Sequence, residues 1–302
     1  MRRRFYLADN LGAGHGSRRL IEQVIAALTL HGAAVVRERH ASTAEALAAM
    51  EKAARGGHHD ALLAAGGDGT IRLAAKAALG TGMPIGVIPR GTGNVLAHET
   101  GLPQQPIAIA DLLLHGGVRT INAGRVNGEL FLLMVGVGFD GRVIAALDQR
   151  LKRLLGKAAY VPATVRALAH GAETLDVTCD GGWTDHVTWA VICNARRYGG
   201  RFEMAPNARV ETSGFEAILF EGTGRRQRIG QLWALARGRL MSERLHMQGY
   251  GGDVIMRGCR SATIRSTTPV PVQVDGDRFG TTPVTIEDAG PCVRLIVPPR
   301  DY

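Results

Sequence analysis

The residues of this chain whose types and spacing suit chemistry fall in two glycine-rich turns and two short acidic segments. The first turn lies in Leu62-Leu63-Ala64-Ala65-Gly66-Gly67-Asp68-Gly69-Thr70, where an apolar run enters glycines and a helical pattern begins near Thr70. Such a junction makes an anion site: glycine backbone can approach a phosphate closely, and amides at a helix N-terminus face its charge. An embedded carboxylate does not suit direct phosphate contact, so Asp68 would work through a bridging Mg2+. Taken alone, the cluster also fits an ordinary strand-to-helix turn. The second turn, Ile85-Gly86-Val87-Ile88-Pro89-Arg90-Gly91-Thr92-Gly93-Asn94, repeats the arrangement. Loops that follow the carboxyl ends of parallel strands converge on one crevice, so two glycine turns at successive strands can line one nucleotide site. Neither turn has the Walker Gly-Lys-Ser/Thr or the Rossmann Gly-x-Gly-x-x-Gly pattern.

The acidic segments lie further along. Gly136-Val137-Gly138-Phe139-Asp140-Gly141 places a carboxylate just after an apolar run, and Val272-Gln273-Val274-Asp275-Gly276-Asp277 places two at a strand end. Asp-Gly is a common turn pair, so Asp275 and Asp277 by themselves also fit a β-turn with exposed carboxylates.

The elements that must position these groups follow from periodicity. Short apolar runs at Phe5 to Ala8, Ala34 to Arg39, Ala61 to Ala65 and Ile85 to Ile88 alternate with helical patterns at Ser17 to Leu30 and Thr43 to Arg55, the sign of a parallel α/β sheet. Ser17 and Thr43 are the expected N-caps. From about Ile121 the texture changes to closely spaced strands, including Val187 to Cys193, Ala217 to Phe220, Ala262 to Arg265, Val270 to Val274 and Val293 to Val297. Helical interruptions are expected at Gly141 to Arg150, Leu151 to His170 and Arg226 to Arg239. The boundary is placed at Leu114 to Val118, giving a nucleotide-binding α/β domain over 1–118 and a β-rich substrate domain over 119–302, with the C-terminal tail able to pack back on the first.

The 302 residues, 45% hydrophobic, suffice for two cored domains. A net charge of +9 favours an anionic partner: nucleotide, nucleic acid or acidic membrane surface. Lysine occurs only at Lys52, Lys76, Lys152 and Lys157, so the positive charge is mostly arginine, a bidentate phosphate partner, although a GC-rich genome gives the same bias. Cys179, Cys193, Cys259 and Cys292 lack zinc-site spacing and disulfide density and read as reduced. No apolar run is long enough to span a bilayer, so a cytoplasmic protein with at most peripheral contact at the inner membrane face is expected. Arg150, Lys152, Arg153 and Lys157, interleaved with Leu151, Leu154 and Leu155, suit either docking on anionic lipid or a solvated face with its leucines turned to the core. No helix-turn-helix or stacking platform is recognisable, and no nucleic-acid partner is expected.

Together, GGDGT (Gly66 to Thr70), PRGTGN (Pro89 to Asn94), GVGFD ending at Asp140, Gly156 to Tyr160, Asn194, Tyr198-Gly199-Gly200, Pro206-Asn207-Ala208 and QVDGD (Gln273 to Asp277) resemble the diacylglycerol kinase catalytic family, which includes sphingosine, ceramide and bacterial lipid kinases. GGDGT alone is shared with NAD kinases; PRGTGN and QVDGD narrow the resemblance to the lipid branch. It implies an N-terminal nucleotide domain like those of NAD and diacylglycerol kinases, a C-terminal β-sandwich with inserted helices, and a cleft for ATP, Mg2+ and a lipid alcohol such as diacylglycerol or a sphingoid base. By position, Asn10 and Gly14 would border the nucleotide, Gly66, Gly67, Asp68, Gly69 and Thr70 would hold its phosphates, and Gly91, Thr92 and Asn94 would complete the pocket. Asp275 would be the general base, Asp277 would lie with Asp68 on the Mg2+ side, and Asp140 would orient the headgroup. A soluble-substrate kinase related to NAD kinase and a non-catalytic nucleotide-binding regulator are the alternatives.

Several positions depart from the family pattern. Leu11 replaces a proline, Val95 an aspartate that often follows the second glycine turn, and Asp277 a frequent glutamate. Thr212-Ser213 replaces Asp-Gly and Glu216 an aspartate in a segment that resembles a secondary, structural Mg2+ site of some bacterial relatives, which argues against such a site here.

Overall fold

The computed structural model describes residues 1–10, 15–236 and 254–299. Gly14, the side chain of Asn10 and the end of the helix expected over Arg226 to Arg239 lie outside the described residues. The chain divides into two units, Met1–Ile121 with Pro291–Tyr302, and Asn122–Gly290.

The first unit alternates β1 (Arg4–Asn10), α1 (His15–Leu30), β2 (Ala34–His40), α2 (Thr43–Arg55), β3 (Ala61–Gly66), α3 (Asp68–Ala78), β4 (Ile85–Pro89), α4 (Val95–Glu99) and α5 (Pro106–His115). The four strands are parallel in the order β2-β1-β3-β4. Central β3 and β4 read as continuous apolar runs because helices cover a parallel sheet on both faces, and Leu62, Leu63, Ile85 and Ile88 are fully buried. Helix α2 is capped by Ser42, whose hydroxyl accepts from the Glu45 amide at 3.2 Å, and not by Thr43, which is already helical. The closing residues of the chain return to this sheet, with Leu295 beside Ile85 in parallel register.

The next elements are β5 (Gly117–Val126), β6 (Glu129–Phe131), β7 (Met134–Gly138), α6 (Phe139–Ala146), α7 (Gln149–Leu155) and α8 (Tyr160–Ala169), followed by β8 (Leu175–Cys179), β9 (Trp183–Val187) and β10 (Trp189–Cys193). After the short pair β11 (Arg197–Tyr198) and β12 (Phe202–Glu203) come β13 (Phe215–Phe220), α9 (Arg225–Ala236), β14 (Val254–Cys259), β15 (Ser261–Arg265), β16 (Pro271–Val274), β17 (Asp277–Thr281) and β18 (Val284–Val297). An antiparallel sheet of order β14-β13-β10-β7-β16-β17 faces strands from β8, β15 and the first half of β18. Alternate residues from the two layers, among them Val135, Val137, Ile192 and Val272 against Val177, Ile264 and Ile286, fill a sandwich core.

Two expected elements divide. The run Val187 to Cys193 splits at Thr188 between β9 and β10, and Thr188 gives its amide to Phe220 at 3.0 Å. The helix expected over Leu151 to His170 breaks at Gly156, whose φ of 57° ends α7 before a 3-10 turn leads into α8. Leu154 and Leu155 are 81% and 55% exposed, so they are not turned to the core.

Candidate active site

The two glycine turns meet. In the β3 to α3 junction, a Cβ on Gly66 would lie 2.2 Å from the Thr70 hydroxyl oxygen, and one on Gly91 would lie 2.5 Å from the Gly67 Cα. The backbones of the two turns touch at Gly67 and Gly91, and only residues without a side chain permit that approach. The Arg90 amide donates to the Gly66 carbonyl at 2.9 Å, which ties the loops at the carboxyl ends of adjacent β3 and β4. Asn94 sits in the left-handed region at φ 46°, and its side-chain oxygen accepts from the Gly91 amide at 2.6 Å, closing the second turn on itself. The N-cap residue of α3 is Gly67, which brings no side chain to the amides of the first turn. Thr92 is exposed and Gly69 and Thr70 are half-buried in the same region.

Asp68 has a task that its sequence position does not reveal. Its carboxylate accepts from the amides of Val95 at 3.1 Å and Leu96 at 3.0 Å, so it caps α4 from the neighbouring loop. Burial pushes its carboxyl above the usual range, while the Leu96 and Val95 amides pull the other way. Each oxygen has two acceptor directions and gives one to an amide, which leaves capacity for a further partner. Among the described residues no group of three or more His, Cys, Asp or Glu could hold a metal ion. The spare acceptor capacity of Asp68 fits a Mg2+ held mainly by nucleotide phosphates and water, as is usual for that ion.

In the second unit, Asp275 and Gly276 form the two-residue turn between β16 and β17, both at positive φ (51° and 85°), with Val274 paired to Asp277. The turn was legible, but the exposure expected of its first carboxylate is not found. Asp275 is buried, and its carboxylate accepts from the amides of Leu132 at 2.9 Å, Leu133 at 2.9 Å and Met134 at 3.1 Å. Three of its roughly four acceptor directions are therefore committed to fixing the chain before β7. A carboxylate so engaged is a poor proton acceptor, which counts against Asp275 as general base. Asp277, two residues on, is exposed.

Asp140 lies in the first turn of α6 and is almost fully buried. The Tyr198 hydroxyl donates to one oxygen, and the Gln273 side-chain amide donates to the other at 2.7 Å. Burial pushes the Asp140 carboxyl up, and burial together with the Asp140 charge pushes the Tyr198 phenol well up, which keeps the phenol a donor. Gln273 also accepts from the Gly276 amide at 2.7 Å, so one side chain links Asp140 to the Asp275-Gly276 turn. A Cβ on Gly136 would lie 1.8 Å from the Asp140 carboxylate, and one on Gly141 would lie 1.9 Å from the Pro271 carbonyl oxygen. The glycines around Asp140 thus make room for the carboxylate and for β16. With both oxygens engaged and the side chain almost fully buried, Asp140 could exert the orienting role expected of it only through Tyr198 and Gln273. Tyr198 and Gln273 were not among the expected site residues, because only the fold brings β11 and β16 to α6.

Glu216 accepts from the Asn207 amide and side chain, both at 2.8 Å, and from the Ala208 amide at 3.1 Å. The protein's own donors take this buried carboxylate in the segment whose departures argued against a structural Mg2+.

Residues 6–126 match the diacylglycerol kinase catalytic domain family, and residues 133–297 match the YegS C-terminal NAD kinase beta sandwich-like domain family. A Pseudomonas fluorescens protein named "Probable lipid kinase YegS-like" is 30% identical over 89% of this chain and 91% of its own length. A Pseudomonas aeruginosa protein of the same name is 38% identical, and a Mycobacterium tuberculosis protein named "Diacylglycerol kinase" is 33% identical; each match spans about half (51%) of the relative's length. Among solved structures, a Bacillus anthracis diacylglycerol kinase superposes with a TM-score of 0.77 at 21% identity over 99% of this chain and 98% of its own. Yeast NADH kinase has the related fold, with a TM-score of 0.50 at 10% identity over 100% of this chain and 85% of its own.

Proposed function

Because the chain belongs to the diacylglycerol kinase catalytic family, we propose that it transfers the γ-phosphoryl group of ATP to the hydroxyl of a membrane lipid such as diacylglycerol or a sphingoid base. The observation that carries this reading is the contact of the two glycine turns at Gly67 and Gly91, beside an α3 N-terminus whose N-cap residue is Gly67. Backbone amides and an aligned helix dipole favour phosphate there. Gly66 to Thr70 would hold the phosphates and Gly91, Thr92 and Asn94 would flank them. Asn10 and Gly14 stay in this proposal by position. Phosphoryl transfer has little covalent work for protein to do, so positioning and electrostatics supply most of the acceleration.

For proton removal we favour Asp277. It is an exposed carboxylate at the end of a hairpin whose register Asp275 fixes through three amides, and Asp140 steadies the same turn through Gln273. Mg2+ bound with the nucleotide would neutralise phosphate charge, and by position in the family pattern Asp68 and Asp277 are the carboxylates proposed for it. Chelating divalent cations is therefore expected to stop transfer without changing the melting temperature. A fall in melting temperature on chelation would show a resident metal instead.

Membrane contact would come from α7 and α8. Leu154, Leu155, Val161 and Val165 are exposed, and Lys152 lies 5.7 Å from the Tyr160 ring centre. Apolar and basic groups presented together suit an anionic lipid interface. Among the described residues no helix is long and apolar enough to cross a membrane. Leu154→Asp with Leu155→Asp is expected to weaken binding to anionic vesicles about 10-fold or more, through loss of apolar burial, with unchanged activity on a short-chain soluble acceptor. Unchanged vesicle binding would remove these helices from the reading.

The experiment that tests the function is a competition for labelled γ-phosphate among diacylglycerol, sphingosine and NAD in one reaction. Label on a lipid supports the proposal, and label on NAD alone replaces it with a soluble-substrate kinase.

A further inference from the structure

Outside the residues discussed so far, the second unit holds a buried cation with incomplete partners. Arg228, in the first turn of α9, is 5% exposed. Its Nη2 donates to the Thr188 hydroxyl at 2.7 Å, and that hydroxyl is itself spent on the Gly222 carbonyl at 2.7 Å. Nη1 is buried with no hydrogen-bond partner. The guanidinium packs against two rings, 5.1 Å from the centre of Phe139 and 5.7 Å from that of Trp189. Ring faces return part of the lost hydration of a cation, but they do not satisfy an N–H donor. Among the described residues no carboxylate pairs with Arg228. Burial lowers its pKa to about 10, so it remains charged at neutral pH.

Arg228 lines a cavity of about 30 Å3 between the end of α8 and the start of α9. That space holds about two waters or one small oxyanion, since one water needs roughly 10–15 Å3 by the same measure. Arg142 and Arg225 also line it; Glu173, its one carboxylate, is already hydrogen-bonded to Arg142 Nε at 3.1 Å. Arg225 donates to the Ala169 carbonyl at 2.9 Å and, like His170 and Gly224, is exposed at the rim. Buried charges in folded proteins are paired or bind an ion. Three arginines against one engaged carboxylate leave the cavity short of negative charge.

We propose that this cavity is a phosphate-binding site distinct from the nucleotide turns, taking a single phosphate group from an anionic phospholipid headgroup or from free phosphate, with Arg228 as its buried cation. The cavity admits the phosphate and little else, so any remaining part of the ligand would lie outside the rim. The proposal does not depend on the kinase reading, because its residues and its readout are separate from phosphoryl transfer.

The test is calorimetric titration of the full-length protein, free of nucleotide, with inorganic phosphate, together with sedimentation on vesicles of phosphatidylcholine with and without phosphatidylglycerol. Wild type is expected to bind phosphate and Arg228→Met to bind it at least ~10-fold more weakly through loss of a charge-assisted contact; because the nucleotide turns also attract phosphate, the titration is repeated with ATP saturating those turns, which should leave the Arg228-dependent binding in place. Arg228→Met without phosphate should melt no lower than wild type, because an incompletely paired buried cation is gone; added phosphate should raise the melting temperature of wild type and not of the variant. An Arg228-dependent gain on phosphatidylglycerol vesicles identifies a lipid headgroup, and phosphate binding without that gain identifies free phosphate. If Arg228→Met does not fold, the exposed Arg225→Gln serves, with several-fold weaker phosphate binding expected. No phosphate binding by wild type, or equal binding by wild type and the arginine variant, overturns the proposal.

Discussion

Asp277→Asn is expected to lower kcat for lipid phosphorylation by about 10²- to 10⁴-fold, the range for loss of a general base, with the melting temperature almost unchanged. The second half of that expectation follows from exposure, since most surface substitutions change stability by about 0.5 kcal/mol or less. Asp275→Asn should behave differently. An asparagine can keep an oxygen toward the Leu133 and Met134 amides, but it then turns an NH2 donor on the Leu132 amide, where the carboxylate presented only acceptors. Leaving a buried N–H group unpaired costs about 1–3 kcal/mol, so this variant should melt below wild type, with activity falling as the hairpin loosens. Melting curves beside steady-state kinetics separate the two. Retained stability with lost activity in Asp275→Asn, together with an active Asp277→Asn, would return the base to Asp275.

The other large effect is expected at Gly91. An added Cβ would lie 2.5 Å from the Gly67 Cα and 2.8 Å from the Asn94 side-chain oxygen. The first neighbour is backbone and cannot rotate away, so the two turns must part. Overpacking of this kind costs about 1–3 kcal/mol of stability, and a displacement near 1 Å of positioning groups costs about 10²-fold in rate. Gly91→Ala should therefore lose about 100-fold in kcat/KM for ATP, with a lower melting temperature. An ATP dependence equal to wild type would mean that contact between the turns is not needed for the nucleotide.

What could be read from the residues follows from how local each signal is. The four parallel strands were legible as short apolar runs between helical patterns, and both glycine turns as the ends of β3 and β4; the observed β1 to β4 differ from the expected spans by a residue or two at the ends. The role of Asp68 was not legible, because its partners Val95 and Leu96 are 27 and 28 residues away and only the parallel pairing of β3 with β4 brings them near. The same holds for Asp275, whose acceptor role depends on amides more than 140 residues earlier. Asp140 was found by its motif but not its burial, since Tyr198 and Gln273 reach it from strands distant in sequence. Arg228 gave no signal: an arginine in a basic helix reads as solvated until the fold packs it on Phe139 and Trp189. The chain division at Ile121, slightly past the expected Val118, has a similar origin, because β5 runs through the composition change without a break.

The most direct test of the kinase reading is incubation of the purified protein, Mg2+ and γ-labelled ATP with a membrane lipid extract, followed by organic extraction. A labelled lipid phosphomonoester is expected to form with wild type and to fall at least ~100-fold with Asp277→Asn. ATP binding without label on any lipid across diacylglycerol, sphingoid bases and the extract would contradict the kinase reading.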